Sequence, residues 1–434
     1  MSEQLFSERI DRGKLLRRAA AAGAAVGLAP FADVSSAFGG GRTIKIGYVT
    51  PRTGPLAGFG QADGFVINQM AHLFKQGLKI GGHTYPLQVF SADTQSNSNR
   101  AATVTQNLIL SNNVDLVLVA GTPDTTNPVA DTCEANKVPC ISSVAPWQPW
   151  FFGRKGNPAV GFKYTYHFFW GLEDVIAVYM AMWKQLSTNK VVGGIFPNDP
   201  DGNAWGDKKL GFPPPLKAAG FKLIDPGRFP DGNDNFSNQI SQFKSGKAQI
   251  ITGVPIPPDF TTFWTQALQQ GFHPKVATIG KALLFPSALE ALGDKGGNLA
   301  SEVWWSPWHP FTSSLTGQTA SALAVDFEKS TKQQWTQPIG FAHALFEVAA
   351  DALKRAGNID DKLAIANAIG ATNLNTVVGH IEWKGGPVPN VAKTKLVGGQ
   401  WRRGGAHPYD LVIVENHELP TVKLGGKMEP IVYT

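Results

Sequence analysis

The feature that most constrains the fold is the stretch 114–150, which has the pattern of a strand, a helix and a second strand. Its apolar run at 116–119 is typical of a strand buried on both faces. A glycine and a hydroxyl-rich turn follow, and Thr125 or Thr126 is the predicted N-cap of the next helix. A second buried strand is expected from Cys140 to Val144. The stretch therefore predicts one βαβ unit of a parallel sheet.

The same unit contains a candidate binding surface. In parallel sheets, ligands bind beyond the carboxyl ends of the strands, where helix N-termini present free N–H groups. Two such ends, residues 121–126 and 144–147, are expected to lie side by side. We interpret them as one wall of a small-molecule site, with an ordinary scaffold turn as the alternative.

Chain length and composition predict two lobes of α/β type. A chain of 434 residues exceeds the size of one compact core. With 43% hydrophobic and 17% charged residues, it should be a well-packed globular protein. Strands alternate with helices throughout, and a second alternating series begins near Lys190. The predicted class is α/β, with a mostly parallel sheet flanked by helices in each lobe.

The charge distribution argues against nucleic acid as a partner. The formal net charge is +6, but lysine and arginine are scattered, without a dense basic run after residue 18. The chain has two cysteines, Cys133 and Cys140. The sequence leaves open whether they form a disulfide, and we favour buried free thiols.

Residues 1–37 are predicted to be an export signal. Five basic residues, ending with Arg17 and Arg18, precede an apolar run from Ala19 to Pro30 and a small-residue exit at 35–37. The arginine pair favours twin-arginine export, with a Sec signal as the alternative. The apolar run is too short to span a bilayer. We expect a soluble periplasmic protein after signal removal.

Sequence motifs of catalysis are not found. The chain lacks the Gly-x-Ser-x-Gly, His-Glu-x-x-His, Walker and dinucleotide-binding patterns. Its nine histidines are isolated from one another. We therefore predict a protein that is not an enzyme and that uses no cofactor and no metal. An active site assembled from distant residues stays the alternative.

Five segments together resemble the leucine/isoleucine/valine-binding group of type I periplasmic solute-binding proteins, the receptors of ABC transporters. They are IKIGYVTPRTGPLAGFG, TTNPVADTCEANKVPCISS, FPNDPDGNAWGDKKLG, DNFSNQISQFKSGKAQIITG and LNTVVGHIEWKGG. Their order and spacing carry the resemblance, which covers about residues 43–400.

The resemblance implies a fold of two lobes joined by three hinge crossings. The crossings would fall near Phe168–Gly171, Glu302–Pro307 and His380–Lys384. Lobe 1 would comprise residues 43–168 and 307–381, and lobe 2 residues 171–304 and 384–434. A small solute would bind between the lobes, and the closed receptor, expected to be a monomer, would meet an ABC-transporter membrane permease. A sensory ligand-binding module is the alternative, and an enzyme acting in the cleft is a weaker one.

The resemblance also implies ligand-binding positions in both lobes. In the first, Phe59 matches an aromatic residue, the 122–125 turn matches the turn that holds a ligand carboxylate, and Glu173 matches an acid that holds an ammonium. In the second, Asp201 replaces an aromatic residue, and Lys281 or Ala282 replaces a second acid. The full predicted set is Phe59, Thr122, Pro123, Thr125, Val144, Ala145, Pro146, Trp147, Glu173, Asp201, Trp205, Ile256 and Lys281.

The replaced acid bears on the ligand. A buried ammonium needs a paired charge, so a lysine where an acid is usual argues against an ordinary α-amino acid. An aromatic or apolar carboxylate or an amide is expected instead. Lys281 could pair with such a carboxylate, although we expect it to be solvent-exposed.

Overall fold

The computed structural model describes residues 42–433. The predicted export signal, residues 1–37, lies outside the described residues.

The strands, in chain order, are β1 (Ile44–Thr50), β2 (Leu78–Ile80), β3 (His83–Tyr85), β4 (Leu87–Asp93), β5 (Leu116–Ala120), β6 (Cys140–Ser143), β7 (Thr165–Phe168), β8 (Val191–Ile195), β9 (Lys222–Ile224), β10 (Ile250–Gly253), β11 (Val276–Ile279), β12 (Ala300–Val303), β13 (Asn373–Thr376), β14 (Gly379–Glu382), β15 (Val391–Ala392), β16 (Val397–Arg403) and β17 (Tyr409–Glu415).

The α-helices are α1 (Asp63–Leu73), α2 (Ser98–Leu110), α3 (Pro123–Ala135), α4 (Trp147–Gly153), α5 (Leu172–Lys184), α6 (Pro200–Trp205), α7 (Pro213–Ala218), α8 (Ser237–Ser245), α9 (Pro257–Gln269), α10 (Pro286–Ala291), α11 (Ala320–Thr331), α12 (Pro338–Ala356) and α13 (Lys362–Gly370). Short 3₁₀ helices cover Ala57–Gly60, Phe74–Gln76 and Gly293–Gly296.

The first lobe is built on a six-stranded sheet in the order β15-β7-β6-β5-β1-β4, with parallel pairing throughout. Its central strand β5 is buried along its whole length, as an apolar strand covered by helices on both faces should be. The predicted βαβ unit is therefore confirmed, with β5 and β6 in parallel register.

The second lobe is built on a seven-stranded sheet in the order β17-β16-β12-β11-β10-β8-β9. The pairs from β9 to β12 are parallel, whereas β16 and β17 are antiparallel additions at one edge. The two-lobed type I periplasmic-binding fold predicted from the sequence is confirmed.

The chain passes between the two large sheets three times. The first two changes follow β7 and β12, next to two of the predicted crossings. The third lies later than His380–Lys384, because β15 pairs with β7 in the first sheet before β16 joins the second. Residues 384–392 therefore stay with the first lobe. No sequence pattern marks this pairing, since β15 has only two residues.

Two further predictions needed correction at the level of elements. The sequence pattern near 204–219 predicts one helical segment, but the structure has two short helices in this region, α6 and α7, each with proline in its first turn. The sequence pattern from His83 to Phe90 predicts one strand, which the structure divides between β3, part of the β2–β3 hairpin, and β4. Cys133 and Cys140 are buried free thiols.

Candidate functional site

A small cavity lies between the lobes, beyond the carboxyl ends of the parallel strands. Its volume is about 20 Å³, which is room for about one water molecule. Both lobes and two of the crossings contribute to its lining: Phe59, Thr122, Val144, Pro146, Phe169, Trp170, Asp201, Trp205, Val254, Lys281, Leu284, Glu302 and Trp304. The described conformation is therefore closed.

The first-lobe wall is formed by the start of α3. Its N-cap is Thr122, not Thr125 or Thr126, because Pro123 supplies the φ angle of a first helical residue. The N–H groups of Thr125 and Thr126 both donate to Thr122 O, at 3.1 and 2.9 Å. The Thr122 hydroxyl is buried without a hydrogen-bond partner.

The end of β6 supplies the next part of the wall. Val144 has a φ of +72°, an uncommon conformation for a β-branched residue, and it lines the cavity with Pro146. Ala145 does not line the cavity, and its carbonyl accepts a 2.7 Å hydrogen bond from His167 Nε2. Burial lowers the pKa of His167 to about 3. His167 is therefore a neutral structural residue.

Glu173 does not reach the cavity. Its carboxylate pairs with Lys393 at 2.6 Å and accepts hydrogen bonds from Trp147 Nε1 and Gln148 Nε2. Asp174 caps α5 through the Gly171 N–H and also binds Lys393. Lys393 lies in the third crossing, so this cluster joins the first and third crossings. The acid expected to hold a ligand ammonium is occupied by the protein itself.

Lys281 lies at the second-lobe wall and is buried, with 3% of its surface exposed. Its Nζ is 2.5 Å from Asp199 Oδ2 and 3.1 Å from Asp201 Oδ2. Burial alone would lower the pKa of Lys281, but these carboxylates raise it above its ordinary value. The expectation of a solvent-exposed lysine is wrong, because the ends of β8 and β11 bring acids and lysine together.

Two carboxylates line the same cavity. Burial raises the pKa of Asp201 to about 7 and that of Glu302 also to about 7. Glu302 accepts a hydrogen bond from the buried Tyr179 hydroxyl. A lysine at this position therefore does not deprive the cavity of acids, since the carboxylates of Asp201 and Glu302 line it beside Lys281.

The lobes also touch directly at Phe59. Its ring meets Phe285 of the second lobe edge to face, with centroids 4.9 Å apart. Phe59 is therefore both a cavity residue and a contact between the lobes.

The structure brings together part of the predicted site. At the cavity it places Phe59, Thr122, Val144, Pro146, Asp201, Trp205 and Lys281. It leaves out of the lining Pro123, Thr125, Ala145, Trp147, Glu173 and Ile256. Six further residues line the cavity and were not predicted from the sequence: Phe169, Trp170, Val254, Leu284, Glu302 and Trp304. Phe169, Trp170 and Trp304 directly follow β7 and β12. They lie within two of the predicted crossings, so the sequence could have identified them as lining residues.

A metal site is not found in this part of the chain: within residues 42–433, no group of three or more His, Cys, Asp or Glu side chains could hold a metal ion. Among the same residues, no helix has the combination of length and apolar character that a bilayer crossing requires.

Comparison with known proteins identifies the fold and the family. The sequence model of the family described as periplasmic binding protein matches residues 43–406. No curated protein matches the chain significantly.

Solved structures share the fold at low identity. A leucine-binding protein from Thermotoga maritima is 22% identical with a TM-score of 0.69, covering 86% of this chain and 99% of its own. A branched-chain amino acid transporter substrate-binding protein from Streptococcus pneumoniae, in complex with isoleucine, is 16% identical with a TM-score of 0.65 and the same coverage. An ABC-transporter solute-binding protein from Rhodopseudomonas palustris, in complex with 3,4-dihydroxybenzoic acid, is 17% identical with a TM-score of 0.68, covering 88% and 99%.

Proposed function

The chain belongs to the periplasmic binding protein family, and on that premise we propose that it is the extracytoplasmic solute-binding receptor of an ABC importer. It holds a small organic solute between its lobes, and no bond of the solute is made or broken. The observation that carries this proposal is the cavity lined by both lobes. Its lining contains buried polar atoms without a partner, including Thr122 Oγ1 and Asp201 Oδ1, which a bound solute would satisfy.

The solute class proposed from the sequence is an amino-acid-like molecule, an aromatic or apolar carboxylate, or an amide. The aromatic side chains in the lining, including Phe59 and Trp205, support a ligand with an apolar part. The isoleucine and dihydroxybenzoic acid complexes of the structural neighbours are compatible with this range.

The proposal also includes export of the chain and interaction with a membrane permease. Residues 1–37 direct the chain out of the cytoplasm, and the receptor acts as a monomer that delivers its solute to a membrane permease. Closure about the three crossings buries the solute and creates the surface that the permease recognises.

A thermal-unfolding screen tests solute binding. Amino acids, aromatic acids, amides and ureas are added separately to the mature chain, and a true ligand raises its stability. At 100 times its dissociation constant, a ligand adds about 2.7 kcal/mol. A complete panel without any stabilising solute would contradict the proposal.

A pair of threonine substitutions ties binding to this cleft. Thr122→Val removes the unpartnered hydroxyl from the cavity wall, so we expect weaker ligand binding by calorimetry. Thr132→Val, in the same helix, removes a hydroxyl that donates to Pro128 O at 2.7 Å and should leave affinity unchanged. Equal affinities for the two variants would place the ligand elsewhere.

Two measurements separate transport from the alternative functions. Deletion of the gene should abolish high-affinity uptake of the identified ligand, whereas a sensory module would alter gene expression and leave uptake intact. Prolonged incubation should return the ligand unchanged, and a product would indicate an enzyme.

A further inference from the structure

The cavity wall has no cationic group available for a ligand anion. Among the lining residues, all within the described part of the chain, Lys281 is the one positively charged side chain. Its Nζ already contacts Asp199 and Asp201. A ligand carboxylate placed here would face Asp201 and Glu302 without a free counter-charge. Such an arrangement is strongly unfavourable for a buried ion.

The helix starts beside the cavity are also poorly suited to an anion. In α3, Pro123 has no N–H, and the first turn carries the carboxylate of Asp124. The next two N–H groups donate to Thr122 O. This N-terminus, the usual site for an anion, thus lacks the N–H of Pro123, has the N–H groups of Thr125 and Thr126 engaged, and carries an acidic side chain.

The second-lobe helix starts follow the same pattern. Pro200 opens α6 without an N–H, and the Gly202 N–H donates to Asp199 Oδ1 at 2.6 Å. Two prolines, Pro257 and Pro258, open α9. The three helix starts therefore each have proline at their first positions and an acid in their first turn, which disfavours an anion there.

A hydrogen-bond acceptor is nevertheless free. Asp201 is 97% buried, since 3% of its surface is exposed, and its Oδ1 atom has no partner. Glu302 also lines the cavity and supplies its second carboxylate. Aromatic residues complete the lining, and such rings attract a cation over their faces. These groups together favour a positively charged N–H donor.

The lining also contains donors that need an acceptor. The indole N–H groups of Trp170, Trp205 and Trp304 are buried without a partner. Because an anion lacks a counter-charge here, a neutral oxygen is the acceptor that suits them.

We propose that the cleft selects a small organic cation that carries a neutral oxygen and no carboxylate, with its ammonium donating to Asp201 Oδ1. This inference rests on the proposed function and narrows its ligand class. The chemistry corresponds to an amino acid amide more closely than to an amino acid.

A set of four matched compounds tests the two charges separately. Calorimetry at pH 7 compares phenylalaninamide, phenylalanine, 3-phenylpropanamide and 3-phenylpropanoate, and the same comparison is made with alaninamide, alanine, propanamide and propanoate. We expect the cationic amide to bind at least tenfold more tightly than the other three in at least one series. Tighter binding of the amino acid or the carboxylate would overturn the inference, as would equal binding of the cationic and neutral amides.

If neither series binds, the general solute panel decides the question. A carboxylate as the tightest ligand overturns this inference but leaves the receptor function standing, and a carboxylate-free cation supports both. A panel without any ligand contradicts the proposed function itself.

A substitution then locates the ammonium. Asp201→Asn should weaken binding of the cationic ligand at least tenfold and leave its uncharged analogue within twofold. Asp259→Asn is the matched control, because Asp259 lies in the first turn of α9 but outside the cavity lining. Thermal unfolding checks that both variants fold. An equal loss of affinity for the cation and for its uncharged analogue would show that Asp201 does not recognise the positive charge of the ligand.

Discussion

At the scale of single residues, the Lys281 cluster is the most unusual feature of the molecule. A lysine side chain 2% exposed bridges two carboxylates that are each 4% exposed. Such a group tolerates the loss of one partner poorly, because the remaining charges are left unpaired and out of water.

We predict that Lys281→Met lowers the free energy of unfolding at pH 7 by about 3–5 kcal/mol, the range for an uncompensated buried charge. Urea unfolding measures the loss. Lys393→Met is the control, since Lys393 also bridges two carboxylates but its side chain is 33% exposed. Its loss should be about 0–1 kcal/mol, and similar losses for the two variants would contradict the prediction.

Glu302 should make stability depend on pH. Burial raises its pKa to about 7 in the folded protein, above its value in the unfolded chain, so the folded state binds the proton more tightly. Its favourable contribution is complete below the unfolded pKa and is lost as pH rises through about 7.

Glu302→Gln removes this titration. The stability of wild type relative to the variant should fall by about 3 kcal/mol between pH 4.5 and pH 8, as measured by urea unfolding at each pH. The exposed substitution Glu290→Gln serves as the control. A constant difference across this range would mean that Glu302 titrates normally.

The sequence could not predict the role of Lys281 from its neighbours. The residues around it are apolar, and its partners lie about 80 positions earlier, at the end of β8. Only the order of strands in the sheet places these ends beside each other. Thr122 was easier to identify, because a buried strand and the following turn mark it within one local pattern.

At the scale of elements, two helix glycines differ in what surrounds them. A Cβ at Gly340, in α12, would overlap the buried ring of Trp305. A Cβ at Gly64, in α1, would meet no atom within 4 Å. The first glycine allows α12 to pack closely against the second crossing, and the second has no such role.

We therefore predict opposite effects of the same change. Gly340→Ala should destabilise by about 1–3 kcal/mol through overpacking, whereas Gly64→Ala should stabilise by up to about 1 kcal/mol through helix propensity. Thermal unfolding of both variants checks this. A stabilising Gly340→Ala would mean that Trp305 moves freely.

Elements with strong apolar patterns were predicted well, and the third crossing was not. Strands β5 and β6 are continuous buried runs, so their sequences identify them. Strand β15 consists of Val391 and Ala392 within a polar loop, and its pairing with β7 is a tertiary contact that local sequence does not encode.

At the scale of the whole molecule, both lobes and their sheets followed from the alternation of strands and helices. The closed arrangement did not, because it depends on contacts between distant segments such as Phe59 with Phe285. About half of the predicted site residues line the cavity for the same reason: the family pattern locates strand ends but not the side chains that fill the space between them.

The volume of the cavity has a kinetic consequence. A space for about one water molecule cannot admit an organic solute until the lobes separate, so association is gated by that motion. In stopped-flow fluorescence, which the buried tryptophans make possible, the observed binding rate should level off at high solute concentration. A rate that rises linearly without limit would mean that the free receptor already rests open. We therefore expect a maximum binding rate that is set by the opening of the lobes and not by how often solute molecules collide with the protein.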